Sequence, residues 1–342
     1  MSEPRRLSVG VGLTNACNLA CPHCYRPRGE ATFLPARTVL RCLDRWPAAS
    51  VNLGTGENIL HPELTALLDA LAERDVPVSL TSNGTSLLEL DAERLARLHD
   101  VEVSFDFATR AEMDAFRGRG AWQRAVRAVE RCVALGRPVT ILAVLMSINH
   151  DRLADVARLA RQLGARCRVN VYQPVHDRRY LPDRAQFWEA FRRLLGETWL
   201  VTCTEGVVLA ALDGAAGEAP VGGCGRASVR ITPSGELLPC VYWPESAGQA
   251  DDVAAADFAT LCQTPPFVQC RSIPAPCRDC PAVQHCRGGC ASRRMRTGGP
   301  DAVDPYCPRA TQPPVRLHAQ RVEDVDLLHA ANVCTTIVRA PD

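Results

Sequence analysis

From Leu7 to about Pro174, short β-rich runs alternate with stretches whose apolar residues recur at every third or fourth position. Leu7–Leu13, Ser50–Leu53, Val76–Leu80, Val101–Phe107, Val139–Met146 and Arg168–Tyr172 read as strands. Pro35–Trp46, Glu63–Arg74, Asp91–His99, Ala121–Leu135 and Arg152–Leu163 read as helices. Such alternation predicts an α/β fold with a parallel sheet. Six βα units are too few to close an eight-stranded barrel. A partial (β/α)6 barrel is therefore expected, with ligands at the carboxyl ends of its strands.

One more helix, about Arg184–Leu195, precedes a Gly/Ala/Pro-rich stretch from Asp213 to Gly223 that reads as a linker. From Cys224 onward the chain is rich in Cys, Pro and Gly, and long periodic segments stop. The clearest element there is a hairpin, Ala227–Ile231 with Glu236–Val241, turning at Pro233-Ser234-Gly235. The expected division is a core domain over 1–212, a linker over 213–223, a small Cys-rich domain over 224–310 and a C-terminal extension over 311–342. A domain of that size and composition has too little core to stand alone, which points to metal.

Length and composition fit this picture: 342 residues, 46% of them hydrophobic, can bury one large core and a smaller satellite. With 39 basic and 38 acidic residues spread along the chain, no nucleic-acid face and no surface for an anionic membrane stands out. Small molecules or peptides are the expected partners. The first residues carry no apolar signal core and no segment approaches the ~20 apolar residues that span a bilayer, so a cytoplasmic location is expected. Thiols stay reduced there, and 17 cysteines then argue for metal ligation over disulfides. Every Lys/Arg position is arginine, which excludes a lysine Schiff base and a P-loop lysine.

Cys17, Cys21 and Cys24 stand at C-x₃-C-x₂-C spacing directly after the first strand, and Tyr25 follows the third thiol. Three cysteines leave one iron of a four-iron cluster open to bind substrate or cofactor. A structural zinc needs a fourth ligand, and His23 lies awkwardly between two of the thiols. The triad and its aromatic neighbour resemble the radical S-adenosylmethionine (AdoMet) superfamily, over the whole α/β half. The resemblance implies that these thiols hold a cluster whose open iron chelates AdoMet, and that the reduced cluster cleaves AdoMet to methionine and a 5′-deoxyadenosyl radical. It also implies AdoMet contacts at the strand ends. Gly54-Thr55-Gly56-Glu57 stands where the family has a Gly-Gly-Glu-type motif, with Thr55 replacing a glycine and Glu57 aligned to pair with the AdoMet ammonium. Thr81-Ser82-Asn83-Gly84 and Ser104-Phe105-Asp106 resemble its ribose and carboxylate contacts, and Arg117 its carboxylate-binding arginine.

A second set, Cys224-x₁₀-Gly235-x₄-Cys240, Cys277-x₂-Cys280-x₅-Cys286-x₃-Cys290 and then Cys307, resembles the SPASM extension of some radical AdoMet enzymes. That likeness implies two auxiliary clusters, for three 4Fe-4S clusters in all. Cys224, Cys240 and Cys290 would hold the first; Cys277, Cys280, Cys286 and Cys307 would hold the second. A zinc ribbon is the alternative for such paired spacings. The first auxiliary cluster has three matched ligands; either Cys203 or a non-cysteine group closes its shell, or its iron stays open. Cys42, Cys132 and Cys167 fall in helix or strand patterns and read as small core hydrophobes. Cys262, Cys270 and Cys334 stay unassigned, although a spare thiol near the substrate could return a hydrogen atom. Tyr242, Trp243, Glu245 and Asp279 are candidates for shaping the pocket.

An enzyme is expected, one that abstracts a substrate hydrogen atom and is fed by an external electron donor such as flavodoxin or ferredoxin. Auxiliary clusters would take up a second electron, giving oxidation or decarboxylation, whereas hydrogen return would give epimerisation. The first strand begins at about Leu7, which is read as leaving no room for a leader-binding domain. A small polar natural product, such as a sugar, aminocyclitol or nucleoside, is the first choice of substrate; a ribosomally made peptide is the second. A metal-binding protein without catalysis is the remote alternative.

Overall fold

The computed structural model describes residues 7–213, 223–253, 257–323 and 334–341. Most of the expected linker, 214–222, lies outside them. The barrel wall is made of β1 (Leu7–Val11), β2 (Ala48–Leu53), β3 (Val78–Ser82), β4 (Asp100–Ser104), β5 (Val139–Leu145) and β6 (Arg166–Val171), all parallel. The helices between them are α1 (Ala36–Arg45), α2 (Leu64–Ala72), α3 (Thr85–Glu89), α4 (Ala92–Arg97), α5 (Arg110–Arg117), α6 (Ala121–Ala134) and α7 (Leu153–Gln162). The α/β half-barrel expected from periodicity is present, and α3 and α5 add two short helices to it.

The wall continues past both ends of this set. β7 (Trp199–Cys203), β8 (Ser228–Ile231), β9 (Leu237–Leu238) and β10 (Thr336–Arg339) complete one sheet in the order β7-β10-β6-β5-β4-β3-β2-β1-β8-β9. The Cys-rich hairpin therefore does not stand apart: β8 pairs in parallel with β1 and continues the barrel sheet. At the other end β10 runs antiparallel between β6 and β7, so the C-terminal stretch supplies a strand of the wall. Two helices, α8 (Arg184–Glu197) and α9 (Gly206–Ala211), flank β7. A capping box at Asp183 and Gln186 starts α8 by satisfying its first N–H groups. Among the described residues, no helix is long and apolar enough to cross a membrane.

Strand alternation decides where the site lies. Val9, Val11, Leu53, Leu80, Val103, Ile141 and Val169 are fully buried in the outer core, under the helices. Their neighbours on the opposite face are Gly10, Asn52, Thr81, Glu102, Ser104, Arg168 and Asn170, and these border a cavity. A parallel sheet covered on both faces by apolar layers reads as continuous hydrophobic runs. Polar residues at every second position mark the inner face as a binding surface.

Candidate active site

The inner cavity has a volume of about 510 Å³, within the range of small-molecule and cofactor sites. Cys17, Cys21 and Cys24 border it, as do Gly54, Thr55, Gly56, Ser82, Asn83, Ser104 and Arg117 from the strand ends. The sulfurs sit among donors: Leu19 N–H donates to Cys17 Sγ at 3.4 Å, Asn83 Nδ2 lies 3.6 Å from it, and Arg117 reaches Cys21 Sγ at 4.0 Å. Burial pushes the Cys17 and Cys21 thiols up, and the Leu19 and Arg117 donors work against it, so the loop fits a thiolate-bound iron cluster once iron replaces the protons. His23 does not close a shell with them. Its ring packs 4.9 Å from that of Phe116, and Nε2 faces Asp106 Oδ2 at 3.4 Å. Burial pushes this imidazole down to about 4 despite that carboxylate, so the ring is neutral.

Two carboxylates, Glu57 and Asp106, are engaged by the protein's own donors. Glu57 is completely buried and does not border the cavity. Its oxygens accept from Ser82 Oγ at 2.5 Å, Asn83 N–H at 2.9 Å, and both the N–H and hydroxyl of Ser86 at 2.7 and 2.5 Å. Those bonds bind the end of β3 and the start of α3 to the Gly54–Glu57 loop, with three of the four on Oε1 and one on Oε2. Asp106 is also fully buried; Oδ1 accepts from Val144 N–H and Oδ2 pairs with Arg117 at 2.7–2.8 Å. It holds the guanidinium toward Cys21, and burial of the charged Arg117 is offset by Asp106 and Cys21, leaving its pKa raised.

The glycine substitution has a visible consequence. Thr55 sits at φ +120°, a region disfavoured for a β-branched residue, and its hydroxyl is 3.0 Å from Tyr25 Oη. Gly56 has φ +69°, and a Cβ there would lie 2.3 Å from the Thr14 carbonyl oxygen, so that position admits only glycine.

Cys224, Cys240 and Cys290 border the same cavity, as do Tyr242 and Trp243; Glu245 and Asp279 do not. Cys277, Cys280, Cys286 and Cys307 gather around a separate small pocket together with Asp304. Three of the seven thiols thus border the large cavity and four the small pocket. Among the described residues, no three His, Cys, Asp or Glu side chains converge as ligands of a single ion would. A cubane cluster takes each thiolate on a different iron, so its ligands surround a volume instead of meeting at a point. Cys203 does not join the group of three: it is buried on β7 with Sγ 3.4 Å from Thr336 Oγ1. Cys42, Cys132 and Cys167 are buried in the core, as read from the sequence.

Several cavity residues were not singled out from the sequence. Arg168 pairs with Glu102 and donates to Thr335 Oγ1 at 3.1 Å, and Thr81 donates to Glu102 at 2.8 Å. Arg230 crosses over Gly10, where a Cβ would overlap the guanidinium. Arg26 braces the cysteine loop through the carbonyls of Asn15 at 2.7 Å and Leu19 at 3.2 Å. The polar alternation on the strands was the available signal for Asn52, Glu102, Arg168 and Arg230.

The radical SAM superfamily model matches residues 11–160. The mycofactocin maturase MftC of Mycobacterium ulcerans is 32% identical over 322 residues, covering 86% of each chain. The PqqA peptide cyclase of Gluconobacter oxydans is 29% identical over 328 residues, covering 88% of this chain and 90% of the other. Among solved structures, Streptococcus suis SuiB bound to its precursor peptide SuiA superposes with a TM-score of 0.69 at 16% identity, over 88% of this chain and 76% of that one. Native anSMEcpe with bound AdoMet and the Cp18Cys peptide gives the same score and identity, over 88% and 94%. At such identities these last two likenesses speak for the fold.

Proposed function

Because the chain belongs to the radical SAM superfamily, and is an enzyme that uses AdoMet and a 4Fe-4S cluster, we propose that its substrate is a peptide, which it oxidises or crosslinks. The observation that carries this reading is the extent of the likeness: a maturase and a peptide cyclase align along nearly the whole chain, the Cys-rich half included. It displaces the small polar natural product that was the first choice from sequence.

Cys17, Cys21 and Cys24 would hold the AdoMet-binding cluster. Gly54, Thr55, Gly56, Ser82, Asn83 and Ser104 would line the AdoMet site, and Arg117 would take its carboxylate. Bound together, cluster and AdoMet supply reductive cleavage of AdoMet and hydrogen-atom abstraction from the substrate. The chain's own residues orient and enclose. Asp106 fixes Arg117, Glu57 locks the strand-end loops, and the polar inner wall around Glu102, Arg168 and Arg230 meets the polar groups of the substrate. Cys224, Cys240 and Cys290, with Cys277, Cys280, Cys286 and Cys307, would carry two auxiliary clusters that pass electrons onward. An external one-electron donor, a flavodoxin or ferredoxin, would reduce the enzyme.

The test is 5′-deoxyadenosine release by the anaerobically reconstituted protein, given AdoMet, reductant and extract of its source cells. Stimulation that is lost when the extract is treated with protease is the expected result. Stimulation that survives protease returns the substrate to the small-molecule class.

A further inference from the structure

Cys224, Cys240 and Cys290 are not alone at their end of the cavity, because Cys334 also borders it. Cys334 lies within interaction range of both Cys224 and Cys290, and Cys240 within range of Cys224. Four thiols from three separate stretches of chain therefore surround one place. Cys334 is delivered there by the strand that follows it. Thr335 is buried; its N–H donates to Thr204 Oγ1 at 3.1 Å, its carbonyl accepts from Thr204 N–H at 2.8 Å, and its hydroxyl takes the bond from Arg168. β10 then continues between β6 and β7, so the position of Cys334 is set by the sheet.

The rival thiols are placed otherwise. Cys203 turns to Thr336 and to the Glu205 carbonyl, away from the cavity. Cys270 is near Cys224 and Cys290 but is buried beside Gly225 and does not border the cavity.

We propose that Cys334 is the fourth thiolate ligand of the auxiliary cluster held by Cys224, Cys240 and Cys290, so that the last strand of the chain closes that shell. The inference rests on the reading of those three residues as cluster ligands. An all-thiolate shell leaves no iron free for substrate, which gives this cluster the role of electron carrier. It also ties β10 to the hairpin at the far end of the same sheet.

The experiment compares anaerobically reconstituted wild-type protein with Cys334→Ala, Cys334→Ser, Cys224→Ala, Cys203→Ala and Cys270→Ala, by iron content and by electron paramagnetic resonance of the reduced protein. Cys334→Ala and Cys224→Ala are each expected to lose the same cluster signal and up to about a third of the iron. Cys334→Ser is expected to keep the iron with a shifted signal, because a serine oxygen can replace the sulfur. Cys203→Ala and Cys270→Ala should match wild type. If Cys224→Ala also matches wild type, the underlying ligand reading fails. If Cys224→Ala loses the signal while Cys334→Ala keeps it unchanged, or Cys270→Ala loses it instead, the Cys334 assignment alone is overturned. Alkylation of the wild-type protein gives an answer independent of variant folding: Cys334 should resist iodoacetamide in the iron-loaded protein and react once iron is chelated. Full labelling of Cys334 with iron retained would refute the proposal.

Discussion

In the barrel, the fully buried side chains include Val9, Leu53, Leu80, Phe105 and Ile141, packed outward against helices. In the Cys-rich half, the largest fully buried side chains are Arg293 and Arg294, and Phe267 is the main apolar one. Arg293 pairs with Glu205 at 2.8 Å and Asp304 at 2.7 Å, and its guanidinium lies 4.9 Å from the centre of the Tyr306 ring. Asp304 also accepts from the N–H of Cys290, so this ion cluster joins the thiol-bearing loops to the turn between β7 and α9. The barrel is stabilised by buried apolar area, a local and redundant term. The Cys-rich half depends on a few specific groups, each hard to replace. Single events should therefore have very unequal effects on the two regions.

The largest difference should come from iron removal. Chelation of iron from the reconstituted protein is expected to raise amide exchange in Val283–Cys286 and Ala291–Thr297 by about 10,000-fold or more, while β4 keeps its protection. Equal loss in both regions would mean that the barrel, too, is held by metal. Next comes Arg293→Met, which leaves Glu205 and Asp304 buried without their cation and should cost about 3–5 kcal/mol in the iron-loaded protein, read by amide exchange in urea. Removing one core leucine, as in Leu71→Ala, costs a similar total, about 2–5 kcal/mol. The comparison is sharpened by where exchange increases: Arg293→Met should act on the Cys-rich half first, Leu71→Ala on the barrel.

Glu57→Gln applies the same reasoning to the cofactor loops. An amide cannot accept all four bonds now made by Ser82, Asn83 and Ser86, and the substitution should cost about 1.5–3 kcal/mol even without AdoMet. A residue that only paired with the AdoMet ammonium would leave the stability of the cofactor-free protein unchanged and weaken AdoMet binding alone.

This distinction marks how far the sequence could be read. The barrel strands were legible because β-branched runs between amphipathic helices need no long-range information. β7 and β10 were not: Trp199–Cys203 and Thr336–Arg339 are short, and β10 becomes a strand by pairing with β6 and β7, each more than a hundred residues away. The cysteine spacings were legible, and the placement of Cys334 was not, since it depends on that same long-range pairing. Glu57 was found by position, but its bonds from Ser82 and Ser86 were not, because nothing in Gly-Thr-Gly-Glu says that those residues will donate to its carboxylate from another loop.

The smallest effect expected is at Thr55, where two terms oppose each other. Its φ of +120° stores strain of about 1–3 kcal/mol that glycine would relieve. Thr55→Gly also removes the hydroxyl bonded to Tyr25, worth about 0.5–1.5 kcal/mol, and adds backbone entropy to the unfolded chain, which costs up to about 1 kcal/mol more. The net change in unfolding free energy should lie within about 1 kcal/mol of zero. The sharper readout is AdoMet affinity measured on the iron-loaded protein. Thr55 and Tyr25 both border the cavity, so if their bond shapes the cofactor site, Thr55→Gly weakens AdoMet binding while stability stays level. Unchanged affinity with level stability would mean that threonine here is tolerated strain with no bearing on the cofactor.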